Sequence, residues 1–351
     1  MAEAVTTVET TPSVLTTETI VTEVLATIDR EREREIVARR FGLFDRRETL
    51  EQIGEMLGIT RERVRQLEKS VLTRLKTTAA QGSVPHITEF QQRLTALLQP
   101  AGNVARVSKL TGEISETSSR EEQARVAFLA QLCPSLVVIT EDDSFHNSVG
   151  IKRVRDEKDL KSAVAKLVAS IKELGEPKSI EEISVATDIE DPIETAALAS
   201  TSKLLATLNG RWGLIKWPMV NPKNIRDKIY VILKENGKHM HFNEIADAIK
   251  DSDFKRKDVT TQAIHNELIK DKRFVLIGRG IYALKEWGYE KGTVADIITE
   301  VLKDAGEPLH RDEIVKRVLA SRFVKETTIL LNLQGKPQFK RVAKATYQLA
   351  E

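Results

Sequence analysis

The stretch TRERVRQLEK, residues 60–69, carries side chains of the types that contact nucleic acid. On a helix, Val64, Leu67, Val71 and Leu75 fall on one side, which leaves polar and charged residues on the other. In the major groove, arginine can grip guanine, glutamine can pair with adenine, and glutamate can accept from cytosine. The outward face is predicted to carry these types: Glu62, Arg65, Gln66, Lys69 and Thr73.

Two helices joined by a tight turn are predicted to position this stretch. Thr49 and Gln52 have the Thr-x-x-Gln spacing of a capping box. Gly58 permits the turn, and Thr60 is the predicted N-cap of a helix that runs to about Lys76. An arginine-rich helix alone is more often a solvated surface helix. The capped helix and glycine turn before it favour a helix-turn-helix.

The chain before this motif is predicted to contain a lead and two more helices. Residues 1–17 are rich in threonine and poor in large apolar residues, so we expect a disordered lead. From Ile20 apolar residues recur at helical spacing, Asp29 is the predicted N-cap of the second helix, and Gly42 is expected to end it.

The run RFGL and then TLEQIGEMLGITRERVRQLE resembles region 4 of the bacterial sigma-70 family. The resemblance covers about residues 18–77 and implies a module that reads the −35 promoter element and touches the polymerase β flap. Arg63 and Lys69 are additional phosphate candidates by location only. Carried over by position, the family's contacts to bases and backbone fall on Arg61, Glu62, Arg65 and Gln66.

The chain departs from the sigma-70 pattern in two respects. Ser70 stands where the family usually has a basic residue, so one basic contact is lost. Nothing upstream resembles the aromatic-rich helices with which sigma factors bind the −10 element and open DNA. We therefore do not expect this chain alone to melt a promoter.

Beyond Gly82 the sequence repeats a pattern that aligns on Gly175, Gly237 and Gly306, with a weaker copy at Gly102. Each clear copy has an isoleucine eight residues after the glycine and ends in an aromatic-x-Leu strand signal. The order helix, turn, short helix, second helix and β-hairpin is the layout of a winged helix-turn-helix. The predicted fold class is mainly α with small β-wings, an N-terminal helix-turn-helix followed by tandem winged units, here called repeats 1 to 4: residues 85–150, 156–218, 224–288 and 291–351.

Repeat 3 resembles the HARE-type helix-turn-helix, the winged fold also found at the N-terminus of the RNA polymerase delta subunit. The resemblance rests on HFNEIADAI, VTTQAIHNELIKDKRFV and GRGIYALKEWG, and repeat 4 looks like a divergent second copy. Such domains bind DNA in some proteins and protein in others. Basic residues near the second helix and the wing favour DNA, although solvated loops often carry such charges: Lys255, Arg256, Lys257, Lys272, Arg273, Arg279, Lys336, Lys340, Arg341 and Lys344.

Composition excludes several other classes of function. The formal net charge is only +2, so a nucleic-acid surface must be local. Cys133 is the only cysteine, which excludes an intrachain disulfide and a Cys/His zinc set. No catalytic constellation, phosphate-cradling loop or long apolar run emerges. We expect no enzyme activity, cofactor, metal, small-molecule substrate or membrane partner, and the absence of a signal peptide favours the cytoplasm.

Three functions remain open at this point. The first is a sigma factor-like DNA-binding protein of transcription initiation or its regulation, with promoter-like double-stranded DNA and RNA polymerase core as partners. The second is a polymerase-binding adaptor with little DNA specificity. The third is an accessory DNA-binding subunit of a restriction or repair system, which would need a partner to cut because the chain lacks a nuclease motif.

Overall fold

A computed structural model describes residues 16–256, 258–289 and 292–350 of the chain. It is mainly helical with small antiparallel sheets, which confirms the predicted mainly α class. The chain divides into two compact units. The first runs to Ala206 and includes Gly210–Ile215, and the second comprises Thr207–Asn209 and the chain from Lys216 onward.

Four helices open the first unit: α1 Thr17–Ala26, α2 Glu31–Phe41, α3 Leu50–Leu57 and α4 Arg61–Ala80. Thr16 caps α1, so a helix begins within the predicted lead, of which residues 1–15 lie outside the described residues. The predicted N-cap at Asp29 is wrong, because Arg30 occupies that position without a side-chain bond. Gly42, with a φ of 68°, ends α2 as predicted.

Helix α4 extends four residues beyond the predicted end at Lys76. The hydroxyls of Thr77 and Thr78 donate to carbonyls one turn earlier, and Ala79 is buried in the core of the first unit. The last turn of α4 is therefore stabilised by burial against residues distant in the sequence, which local spacing does not reveal.

Repeat 1 and repeat 2 complete the first unit with the same order of elements. Each has a helix, a short strand, two helices and a pair of strands, and the last strand is central in its sheet. The predicted turn after the first helix is thus a strand. The elements are α5 Ile87–Leu98, β1 Val104–Arg106, α6 Val107–Ile114, α7 Arg120–Leu132, β2 Leu136–Ile139, β3 Ser148–Ile151, then α8 Glu157–Leu174, β4 Lys178–Ser179, α9 Ile180–Thr187, α10 Pro192–Thr201, β5 Leu205–Leu208 and β6 Arg211–Leu214.

One hydrophobic core joins α1, α2 and α4 to repeat 1. Val24, Leu75 and Phe128 belong to this cluster and are buried. Arg125, on α7, donates from Nε to the carbonyl of Leu43 at 2.7 Å. Its Nη1 pairs with Glu122 at 2.5 Å and Glu18 at 3.0 Å. The N-terminal helices and repeat 1 are therefore packed as one body.

The second unit contains repeats 3 and 4, again with the last strand central in each sheet. Ile245 and Ile314, the repeated isoleucines, are fully buried there, like Ile183 in the first unit. The elements are α11 Ile225–Asn236, β7 Met240–His241, α12 Phe242–Asp251, α13 Thr261–Lys270, β8 Phe274–Gly278, β9 Ile281–Leu284, a 3-10 turn at Lys285–Trp287, then α14 Val294–Ala305, β10 Leu309–His310, α15 Arg311–Ser321, α16 Glu326–Gly335, β11 Phe339–Ala343 and β12 Thr346–Leu349.

The carboxylate that precedes each repeated isoleucine has a structural partner. Glu182 and Glu244 each close a capping box at the start of a helix. Glu313 instead accepts from Arg317 at 2.7 Å, one turn along α15. These contacts give the three carboxylates structural roles at or near the start of their helices.

Candidate nucleic-acid interface

Two glycines fix the angle between α3 and α4. Gly58 has a φ of 63°, in the left-handed region that glycine adopts readily. A Cβ added to Gly54 would come within 2.7 Å of the carbonyl oxygen of Ile59, so α3 lies directly against the turn. Val64 is fully buried with Ile36. The core thus holds one side of α4 and leaves the other side to solvent.

Capping contacts at the two helix starts match the sequence prediction. Thr49 and Gln52 form the predicted capping box of α3. The Thr60 hydroxyl accepts from the backbone N–H of Arg63 at 3.2 Å and caps α4. The first turn of α4 is therefore ordered before any ligand binds.

All six predicted contact residues are exposed on α4. At about 100° per residue, Arg61, Arg65 and Lys69 share one sector, and Glu62 and Gln66 border it. Arg63 lies at the far edge of this face, where its Nη1 donates to Gln66 Oε1 at 3.3 Å. The structure therefore brings five of the six onto a continuous face and places the sixth beside it.

Arg65 and Glu62 form a bidentate ion pair at the centre of the face. Arg65 donates from Nε and Nη2 to the two carboxylate oxygens at 2.8 Å and 2.7 Å. The hydrogen bond from Arg65 lowers the pKa of Glu62, and the same bond raises the pKa of Arg65. Both groups stay charged at neutral pH. The pair is exposed, so solvent and salt weaken it and a stronger phosphate or base partner can displace it.

The third helices of repeats 1 and 2 are packed inside the first unit. Helix α7 contacts α1, α2, α4, α5 and α6. Helix α10 packs on β1, where an added Cβ on Gly102 would lie 2.7 Å from the carbonyl oxygen of Ile193. Arg120 is the one exposed residue of α7, and Ile193 is the one exposed residue of α10.

Charged contacts hold the two repeats of the first unit together. Arg155 donates to Glu194 at 2.8 Å, and Arg106 donates to the carbonyl of Ser200. The backbone N–H of Lys203 donates to the carbonyl of Ser144, which lies in the loop between β2 and β3, at 2.8 Å. That loop is engaged by the next repeat.

The second unit keeps most of its predicted basic residues exposed, with one correction. Arg273, beside the wing, is one of the basic residues that favour DNA in the sequence. In the structure it forms ion pairs with Asp227 at 3.2 Å and Asp271 at 2.8 Å, which stabilise the fold. Lys257 lies outside the described residues. The remaining candidates are exposed: Lys255, Arg256, Lys272, Arg279, Lys336, Lys340, Arg341 and Lys344.

The side chains of Cys133, His239 and His241 make contacts that stabilise the fold. Cys133 is buried, and burial raises the pKa of its thiol to about 12. His241 caps α12 by accepting from the N–H of Asn243, and the ring of His239 lies 4.5 Å from that of Phe323. Within residues 16–256, 258–289 and 292–350 no cluster suits a metal ion, and none of their helices is long and apolar enough to cross a bilayer.

The helix-turn-helix segment matches a known family. Residues 30–77 match the sequence profile of sigma-70, region 4. A stretch of 46 residues is 52% identical to the RNA polymerase sigma factor sigB of Arabidopsis thaliana, and it covers 13% of this chain and 8% of that protein. The match to SigA of a Bacillus species is 49% over 47 residues, 13% of this chain and 12% of the relative.

A third relative, RpoD of Helicobacter pylori, is 49% identical over 49 residues, which is 13% of this chain and 7% of that protein. The chain thus spans a small part of the curated relatives that it matches. The matched segment contains α2, α3 and nearly all of α4, including every predicted contact residue. Residues 30–77 are a sigma-70 region 4 segment, and repeats 1 to 4 lie outside the match.

Proposed function

We propose that this chain is a sigma factor-like DNA-binding protein that acts in bacterial transcription initiation or its regulation. It recognises a −35-like element by placing the first turns of α4 in the major groove. The observation that carries the proposal is the exposed face of α4, where guanidinium, carboxylate and carboxamide groups stand together on a capped helix. That face lies within the segment that matches sigma-70 region 4.

Each side chain of the face has a distinct proposed role. Arg65 and Gln66 read base edges, and Glu62 accepts from an exposed amino group once Arg65 has turned to the DNA. Arg61 contacts bases or backbone. Arg63 and Lys69 bind phosphates and hold the register. In the free chain the Arg65 pair with Glu62 keeps both side chains close to the positions from which they would reach a groove.

The four repeats are proposed to be winged helix-turn-helix units, with repeats 3 and 4 of the HARE type. Their shared element order and central last strand support this assignment. In the first unit the helices α7 and α10 are packed away, so repeats 1 and 2 act as a scaffold for α4. Repeats 3 and 4 are proposed to contact RNA polymerase core or further DNA in the cytoplasm.

A second candidate, a polymerase-binding adaptor with little DNA specificity, is favoured by exposed apolar residues in the second unit. Ile269 on α13 is 62% exposed and Leu331 on α16 is 68% exposed. Both project from third helices, the position from which a winged unit would meet a partner. Apolar groups there suit a protein surface better than a phosphate backbone.

Binding to −35-like and scrambled duplexes across a salt series tests the proposal. Arg65→Ala and Gln66→Ala should each lower the preference for the −35-like duplex by about 5- to 150-fold, the usual value of one good base contact. Lys109→Ala is the matched control, because Lys109 is exposed on α6, away from α4. Equal affinity for the two duplexes in the unmodified chain would refute specific recognition and leave the adaptor as the better explanation.

A further inference from the structure

A basic stripe on α4 continues beyond the residues of the sigma-like contact face. Lys76 lies eleven residues after Arg65, which is about 16 Å along the axis and about 20° around it. It therefore shares the sector of Arg61, Arg65 and Lys69, and it is exposed. The stripe runs from the first turn of α4 almost to its end.

Lys76 opens onto a cleft of about 510 Å³ that repeats 1 and 2 complete. Lys152, just after β3, and Lys158, in the first turn of α8, line the same cleft and are exposed. In the part of the chain that the structure describes, none of the three lysines has a carboxylate within ion-pair distance. Three ammonium groups thus converge on one opening.

The acidic residues of the cleft are already engaged. Asp156 caps α8 by accepting from the N–H of Asp159 at 2.8 Å. Glu157 pairs with Lys161 at 2.7 Å, one turn along the helix. Lys158 stands in the first turn of α8, where the helix dipole disfavours a positive charge. An anion brought to the cleft would relieve this repulsion.

We propose that Lys76, Lys152 and Lys158 form a second phosphate-binding surface for the duplex that α4 recognises. The inference rests on the proposed function and extends the DNA contact beyond the sigma-70 segment, because two of the three lysines lie outside residues 30–77. The ligand is the backbone of double-stranded DNA.

The dimensions of B-DNA fit this surface. The major groove is about 12 Å wide, so a helix that reads bases at Arg65 carries Lys76, about 16 Å further on, to the phosphates that border the groove. Lys152 and Lys158 line the same cleft as Lys76 and would meet the phosphates next to it. Because α4 and β3 share one core and α8 contacts β2 of the same sheet, the three lysines keep a fixed position relative to the contact face of α4. Such contacts hold the register and add affinity without selecting sequence.

The test measures how the affinity of the full chain for DNA depends on salt. It compares three variants with the unmodified chain: the double variant Lys152→Gln/Lys158→Gln, Lys76→Gln and the control Lys166→Gln. Lys166 is an exposed lysine on the same helix as Lys158 but lines a different cleft. On a −35-like duplex of about three turns, or 30 base pairs, each lost phosphate contact should flatten the plot of log affinity against log salt by about 0.9. The magnitude of the slope should therefore fall by about 1.8 in the double variant and by about 0.9 in Lys76→Gln, and it should not change in the control.

The preference for the −35-like over the scrambled duplex should stay unchanged in all of these variants. On a duplex of about one turn, or 10 base pairs, that ends at the α4 site, the double variant should match the unmodified chain. An unchanged slope on the long duplex, or equal losses in the control, would overturn the proposal while leaving recognition by α4 intact. A chain that shows no preference between the duplexes fails the proposed function instead, and the slopes on either long duplex still decide the role of the lysines.

Protection of the lysines from acetylation gives a second measurement that needs no variant. The duplex should protect Lys76, Lys152 and Lys158 and leave Lys166 reactive. In the salt series, Lys152→Arg/Lys158→Arg should keep the slope of the unmodified chain, unlike the glutamine double variant, because arginine retains the positive charge. Protection of Lys69 alone, with Lys76, Lys152 and Lys158 all still reactive, would contradict the second surface.

Discussion

Gly54→Ala should destabilise the helix-turn-helix even though alanine is the better helix former. In an exposed helix interior this exchange gains about 1 kcal/mol. Here the new Cβ would stand 2.7 Å from the carbonyl oxygen of Ile59, which belongs to the backbone of the turn and has no flexible end to move aside. Forcing extra volume into a packed site costs about 1–3 kcal/mol, so the net expected change is a loss of about 1 kcal/mol.

Gly112→Ala provides the matched control. Gly112 lies in α6, a helix of eight residues like α3, and an added Cβ would meet nothing within 4 Å. Alanine should therefore stabilise α6 by about 0.5–1 kcal/mol. The two variants should differ by about 2 kcal/mol in opposite directions, although the chemical change is the same.

Amide hydrogen exchange of peptides from α3, α4 and α6 measures these local free energies without requiring the whole chain to unfold in one step. Gly54→Ala should speed exchange in α3 and the first turns of α4 and should weaken binding to the −35-like duplex, because the angle of α4 shifts. If Gly54→Ala protects α3 as well as Gly112→Ala protects α6, the close packing of α3 against the turn is not what fixes α4.

Three further expectations follow from side chains already described. The folded-state pKa of Glu62 lies below its unfolded value, so the ion pair contributes above the ordinary carboxylate range and is lost as pH falls through the depressed pKa. Carboxylate NMR should give Glu62 a low midpoint that returns toward the ordinary value in Arg65→Ala, and an unchanged midpoint would contradict the pair. Arg125→Met should cost about 3–5 kcal/mol, because it leaves the buried carboxylate of Glu122 without its cation. Arg120→Met, at the exposed start of the same helix, should change the calorimetric transition little, and equal losses in the two variants would show that the loss at Arg125 does not come from the buried ion pair. Cys133, whose pKa burial raises to about 12, should resist thiol reagents at pH 8 until denaturant is added, and rapid reaction of the folded chain would contradict its burial.

Local features of the fold could be predicted from the sequence because they depend on neighbours along the chain. The capping box at Thr49, the left-handed glycines at positions 42 and 58, and the buried repeated isoleucines follow from spacing alone. The predicted N-cap at Asp29 was wrong by one residue, an error typical of helix ends. The exposed polar face of α4 follows equally well, since it needs only helical periodicity.

Features that depend on distant contacts could not be predicted in this way. Nothing near Arg273 in the sequence shows that Asp227 pairs with it, and nothing in α4 shows that its end lies beside Lys152. The burial of α7 could not be predicted either, because polar residues such as Glu122 and Arg125 are usually exposed. Their burial depends on the contacts of Arg125 with Glu18 and with the carbonyl of Leu43, which the sequence does not show. Contacts between residues distant in the sequence, rather than local propensity, decide these positions.

The core that α1, α2 and α4 share with repeat 1 has a consequence for how the chain can be divided. A fragment cut at residue 77, the end of the recognisable motif, would lose α7 and α5 and leave Val21, Val24 and Leu75 facing water. Such a fragment should aggregate or fray where a self-contained promoter-binding module would not. We therefore expect the smallest fragment that folds on its own to extend through repeat 1, beyond the end of the segment that matches sigma-70 region 4.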